Sequence, residues 1–253
     1  MSATVSEAVT VLKRTHVRYF VVFLLFLITT VNHADRAALS IAGPHVSKDL
    51  GLGPVALGYA FSAFGWSYAA AQIPGGWLLD KFGSKIIYTF SIMLWSIFTL
   101  MQGWIGFFDG AAAVLVLFAL RLLVGLAEAP SFPGNARIVS AWFPGNERGT
   151  ASAFFNSGQY FATVLFTPLM AWITHDSGWH AMFFVMGGVG VVFGLIWIKT
   201  IKDPKDHPAV NTAELDYISQ GGGLIGLDQT KSVITGPRWS DLKELLRLQT
   251  HDQ

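Results

Sequence analysis

The sequence predicts an all-α membrane protein with six transmembrane helices, and three observations carry that expectation. The chain is 52% hydrophobic and only 13% charged, whereas an ordinary soluble domain carries about 25% charged residues. Six segments hold the roughly 20 mostly apolar residues that a helix needs to cross the hydrocarbon: residues 17–41, 54–79, 85–107, 111–137, 149–174 and 180–200. Lysine and arginine, finally, collect on alternate loops. Lys13, Arg14, Arg18, Lys81, Lys85, Arg137, Arg148, Lys199, Lys202 and Lys205 fall on one side, and only Lys48 falls on the other. Positive charge marks the cytoplasmic side, so both termini are expected in the cytoplasm.

The first segment follows Lys13, Arg14 and Arg18 and superficially resembles a secretory signal. Its apolar stretch is longer than a signal core and lacks a small-residue cleavage site, so a first transmembrane helix is the better reading. The second ends in Gly75-Gly76-Trp77-Leu78-Leu79-Asp80-Lys81-Phe82-Gly83-Ser84-Lys85. There glycines permit close helix approach and a tight turn, lysines hold the loop in the cytoplasm, and Asp80 requires a helix N-terminus or a basic partner. The third begins at Lys85. The fourth contains Pro130, which cannot donate a backbone hydrogen bond and so frees a carbonyl beside Glu128. The fifth and sixth complete the set before Lys202-Asp203-Pro204-Lys205-Asp206-His207-Pro208 ends the apolar region. In the polar tail, Gly221-Gly222-Gly223 reads as a flexible joint. Ser240 reads as the cap of a short amphipathic helix bearing Leu242, Leu245, Leu246 and Leu248, which either lies on a surface or binds a partner.

Four charges lie at membrane depth: Asp35, Arg36, Arg121 and Glu128. Such residues are costly in the bilayer and usually face a water-filled cavity that carries substrate or protons. Arginine offers a planar fork that stays charged and matches a carboxylate, and a carboxylic acid in a low-dielectric site takes up protons more readily. Arg121 and Glu128 are seven residues apart, on one helix face and about 10 Å apart along the axis. The competing reading makes Arg36–Asp35 and Arg121–Glu128 self-neutralising structural pairs. The absence of cysteine excludes disulfides and thiolate chemistry, and 17 basic against 16 acidic residues give no footprint for nucleic acid. A membrane enzyme would need a nucleophile or a paired-histidine site, and no Gly-x-Ser-x-Gly is present.

The loop at Gly76, Asp80, Lys81, Gly83 and Lys85 resembles the signature Gly-x-x-x-Asp-Arg/Lys-x-Gly-x-Arg/Lys of the major facilitator superfamily. Asn32-His33-Ala34-Asp35-Arg36-Ala37-Ala38-Leu39-Ser40-Ile41-Ala42 resembles the first helix of its anion:cation symporters. Arg121-Leu122-Leu123-Val124-Gly125-Leu126-Ala127-Glu128-Ala129-Pro130-Ser131-Phe132-Pro133-Gly134 resembles their fourth helix, and Trp142-Phe143-Pro144-Gly145-Asn146-Glu147-Arg148-Gly149 the following loop. The likeness extends over nearly the whole chain and is strongest to bacterial transporters that take up six-carbon sugar diacids, glucarate and galactarate, with protons. His33 stands where that group carries a tyrosine.

The resemblance implies roles for particular residues. Arg36 would hold the substrate carboxylate, with His33, Tyr68, Arg121, Asn156 and Gln159 in the same cavity, while Asp35 and Glu128 carry protons. Asn156 has a second reading, a bond to a neighbouring helix. Gly76, Asp80, Lys81, Gly83, Lys85, Arg137, Glu147 and Arg148 would form a cytoplasmic gate, the alternative being solvated surface charges. No cofactor is implied, and His33 has no second histidine at metal-binding spacing. Phe154-Phe155 and Phe183-Phe184 read as packing or lipid-facing residues. The implied organisation is a cytoplasmic N-terminus at 1–16, a six-helix bundle at 17–200 and central-loop residues at 201–253, set in a bacterial inner membrane. This would be the N-terminal half of a superfamily fold, whose substrate site lies between two halves. The expected partners are therefore a small organic anion, protons, the lipid bilayer and a matching C-terminal six-helix half. A fragment that does not transport, and a carrier of galactonate or hexuronate, are the alternatives.

Overall fold

The computed structural model describes residues 13–228, which are helical throughout their regular parts. In chain order the helices are α1 (Val17–Asp49), α2 (Pro54–Phe82), α3 (Ser84–Gln102), α4 (Gly110–Glu128), α5 (Ser131–Trp142), α6 (Arg148–Thr200) and α7 (Thr212–Gln220), with a 3-10 turn at Ile105–Phe107 between α3 and α4. The amphipathic segment expected after Ser240 lies outside the described residues.

Several boundaries differ from the expected spans. α1 continues through Pro44 to Asp49. The third span closes at Gln102 and passes through the 3-10 turn. The fourth divides at Ala129–Pro130 into α4 and α5, because proline has no N–H for the helical ladder. The fifth and sixth run together in α6, and the expected loop is reduced to one residue. Gly178 has φ +86° and ψ 162°, a conformation that only glycine adopts cheaply. With α4–α5 taken as one body and α6 as two, the described residues form six helical bodies besides α7. By length and composition Val17–Asp49, Ser84–Gln102, Gly110–Trp142 and Arg148–Thr200 can each cross a membrane. α2 is long enough but less apolar, since it carries Tyr68, Gln72, Asp80 and Lys81.

α1 packs chiefly on α6, α2 on α4, and α3 on both α4 and α6. Two close approaches require glycine: a Cβ at Gly125 would fall 2.6 Å from the Phe64 carbonyl oxygen, and one at Gly158 would fall 2.7 Å from that of Phe26. Small residues let helices meet at backbone distance where lipid gives no hydrophobic drive. The buried apolar side chains form two clusters. One gathers Leu25, Ile28, Trp95, Trp142, Phe155 and Trp197, and the other Leu39, Leu117, Met170, Trp179 and Phe183. Between them α1 presents Thr29, Asn32, His33, Asp35 and Arg36, so the bundle has a polar waist.

Candidate functional site

The waist holds the four charges in an arrangement that sequence spacing did not foresee. Arg36 Nε bonds Glu128 Oε2 at 2.8 Å, joining α1 to the last residue of α4. Neither intrahelical pair forms. Adjacent residues such as Asp35 and Arg36 project in different directions from a helix, and two turns of helix separate Arg121 from Glu128. Asp35 is 1% exposed, and neither of its carboxylate oxygens meets a donor in good hydrogen-bond geometry; Trp95 is the donor within reach, and Glu128 and Arg121 act on the carboxylate electrostatically. Glu128 Oε1 and Arg121 Nε are likewise buried outside good hydrogen-bond geometry, with Asn32 the donor within reach of Glu128. The Arg36 guanidinium lies 4.5 Å from the Tyr68 ring centroid and 5.3 Å from that of Phe64, a cation–π setting that orients the fork. The break at Pro130 is also supported, because Ser91 Oγ donates to the Ala127 carbonyl and lies 3.1 Å from Ser131 Oγ.

A cavity of about 480 Å³ opens on this layer. Arg36, His33, Tyr68, Asn156 and Gln159 line it as expected, and His33 Nδ1 lies 3.0 Å from the Thr29 carbonyl oxygen of the previous turn. Arg121 does not line it: the side chain is 2% exposed, held behind the wall near Phe64. Thr29, Asn32, Gln72, Tyr88, Ser131 and Asn135 line the cavity without having been singled out. Helical spacing was the signal for several of them, Gln72 being one turn beyond Tyr68 and Asn135 one turn beyond Ser131. Asn135 ties three helices, accepting from the Tyr88 hydroxyl and donating to Thr29 Oγ1 at 3.2 Å. Among the described residues no cluster of three or more His, Cys, Asp or Glu side chains is suited to a metal.

The residues expected to form one gate divide into two networks at the basic end of the bundle. In the first, Arg137 bridges Asp80 and Asp228, its Nε 3.0 Å from Asp228 Oδ1. Asp228 also accepts from the Ser84 backbone N–H at 2.7 Å, at the start of α3. Gly83, at φ +85°, ends α2 directly against Asp228. Lys81 stacks over Trp77 at 4.6 Å, and Lys85 is exposed within electrostatic reach of Asp203. Close helix approach belongs to Gly75, which meets Pro130, rather than to Gly76.

The second network joins Glu147 to Arg18 at 3.1 Å and to the Tyr217 hydroxyl at 2.6 Å. Arg18 also pairs with Glu214 at 3.1 Å. Glu214 is fully buried and accepts as well from the backbone N–H groups of Val17 and Arg18 and from Thr15 Oγ1. Bonding to Glu147 holds the Tyr217 hydroxyl above its usual pKa. Arg148 donates to the carbonyls of Ser140, Phe143 and Gly222, and Gly145 N–H donates to Gly221 O at 2.8 Å. The expected flexible joint is thus a packed turn: a Cβ at Gly221 would fall 2.3 Å from Pro144 Cβ.

The family model described as Major Facilitator Superfamily matches residues 25–249. The chain is 62% identical over 235 residues to the probable galactarate/D-glucarate transporter GudP of Bacillus subtilis (strain 168), covering 92% of this chain and 52% of that protein. It is 55% identical over 249 residues to the probable galactarate/D-glucarate transporter GudP of Escherichia coli (strain K12), covering 97% and 55%. The chain therefore spans about half the length of the curated relatives it matches. In fold it is similar to the proton:xylose symporter XylE bound to 6-bromo-6-deoxy-D-glucose, with a TM-score of 0.66 at 15% identity over 92% of this chain and 52% of that one.

Proposed function

The chain belongs to the major facilitator superfamily, and from that premise we propose that it forms one six-helix half of a secondary carrier that takes up sugar diacids of the glucarate/galactarate type with protons. The observation that carries this reading is the Arg36–Glu128 pair on the wall of a polar cavity. Arg36 spends Nε on Glu128, and its terminal nitrogens are the ones a substrate carboxylate would take. Glu128 and the substrate then compete for one guanidinium. Protonation of Glu128 releases Arg36 toward the anion, and departure of the anion returns Arg36 to Glu128. Asp35, at 1% exposure, is the second proton carrier. Tyr68, Gln72, Asn156 and Gln159 offer hydrogen bonds to the polyol hydroxyls, and Arg121 acts from behind as a fixed counter-charge.

In this reading the basic end faces the cytoplasm of a bacterial inner membrane, and a matching six-helix body supplies the opposite cavity wall. Exposed apolar faces flank the cavity on both helices such a body would meet. These are Tyr59, Trp66 and Ile73 on α2, and Tyr160, Val164 and Trp172 on α6. Without that body there is nothing to rock against.

The test is labelled glucarate uptake by cells that express the 253-residue chain with and without a matching second half. Uptake is expected only from the pair. In the pair, Arg36→Lys is expected to lose substrate binding although charge is kept, and Glu128→Gln to lose pH-driven accumulation while retaining exchange. Concentrative uptake by the chain alone would replace the two-half arrangement with a homodimer. Unchanged affinity in Arg36→Lys would remove the receptor role, and preference for galactonate would move the substrate to a monoacid.

A further inference from the structure

One groove at the basic end is separate from the cavity and borders the second network only at Val17, whose backbone N–H is held by Glu214, and at His207, which Glu214 reaches electrostatically. It lies between the first turn of α1, the last turn of α6 and the segment that follows, and it encloses about 380 Å³. Val17, Phe20, Pro208 and Ala209 give it an apolar floor, and Lys199, Lys202 and His207 give it a cationic rim. Phe20 is 49% exposed, and Phe23, also exposed, continues the apolar surface along α1 toward the bundle centre.

The cations of this rim are not neutralised within the described residues. Neither Lys199 nor Lys202 makes a salt bridge there. Of the nearby carboxylates, Glu214, which reaches His207 electrostatically, is held by Arg18, and Asp203 is attracted to Lys85 and Arg137 and repelled by Asp206 and Asp228. Burial lowers the His207 pKa, so the charge at neutral pH is chiefly that of the two lysines. A soluble anion would satisfy the lysines and leave the apolar floor wet. A ligand with one anionic head and a hydrocarbon tail satisfies both, and this level of the helices is where hydrocarbon gives way to water.

We propose that this groove binds an anionic phospholipid, with its phosphate on Lys199 and Lys202 and an acyl chain laid along Phe20 and Phe23. Basic pockets between membrane helices suit such head groups, and a lysine close to an anionic surface contributes about a factor of five in affinity. The assignment does not depend on the transported substrate.

Native mass spectrometry of the purified chain in a non-ionic detergent tests it. Phosphatidylglycerol is expected to remain bound in preference to phosphatidylcholine. The Lys199→Gln/Lys202→Gln variant is expected to bind phosphatidylglycerol about twenty-five-fold more weakly, while Lys48→Gln, at the opposite end, binds like the parent. Circular dichroism checks that the variants remain helical. If the double variant misfolds, the two single variants carry the same comparison at about fivefold each. Equal retention of the two lipids, or parental binding by the lysine variants, overturns the proposal. So does displacement of the lipid by an equal concentration of glycerol phosphate, which would make this a free-phosphate site.

Discussion

The polar waist and the basic end use the same side chains to opposite effect. At the basic end Glu214 is fully buried and accepts from Arg18, Thr15 and two backbone N–H groups. In the waist Asp35 is buried as deeply, and neither oxygen accepts a hydrogen bond of good geometry, Trp95 being the one donor within reach. Leaving a buried polar group unpaired costs about 1–3 kcal/mol, and such costs persist chiefly where they serve a function. The saturated carboxylate ties the start of α1 to α7, and the unsaturated one is the group proposed above to take up a proton. Burial alone does not distinguish the two; the count of partners does.

Three substitutions sharpen or break that contrast. Glu214→Ala should have the largest effect, lowering stability by about 3 kcal/mol because it leaves two helix-start donors and the Thr15 hydroxyl unpaired and Arg18 with Glu147 alone; a denaturant titration of the chain in detergent measures it. Asp35→Asn should change stability by less than about 1 kcal/mol in the same titration, since the Asn oxygen can still meet Trp95 and no hydrogen bond of good geometry is lost. If Asp35→Asn costs as much as Glu214→Ala, the contrast between the two carboxylates collapses. The smallest effect belongs to Asp203, whose pKa is raised by burial and by the neighbouring Asp228 and Asp206. A raised native pKa means that the fold binds the proton more tightly than the unfolded chain does. That stability is present below the unfolded value of about 4 and is lost as pH rises through the higher native value. Asp203→Asn should therefore melt slightly above the parent at pH 7, with the gap closing as the pH falls toward 4. A gap that widens on acidification would reverse the sign assigned to this carboxyl.

The helices were legible because membrane crossing demands length and apolarity, and both are visible in a sequence. The junction within α6 was less so: His175, Asp176 and Ser177 read as a loop, but the backbone stays helical up to Gly178. In the waist, Arg36 and Glu128 stood out by their cost at depth. Their pairing did not, because it depends on how α1 and α4 cross rather than on spacing within either. Gln72 and Asn135 follow from helical spacing once Tyr68 and Ser131 are noticed. Glu214 carries a local signal only for the start of α7, three residues after its cap Asn211, and nothing near it or near Asp228 points to their distant partners. Both acids sit in polar stretches of ordinary composition, and their partners are 196 and 144 residues away.

That distance has a consequence for how the protein is made. The first turn of α1 has N–H groups with no partner inside the helix, and two of them wait for Glu214. A ribosome has synthesised nearly two hundred further residues before that carboxylate exists. Every helix from α2 to α6 is thus threaded into the bilayer while the beginning of the chain is still unfinished. The closing bond forms only if the intervening helices bring α7 back to the starting point. Glu214 therefore reports on assembly as a seal does, closing the first-made turn once α7 has arrived.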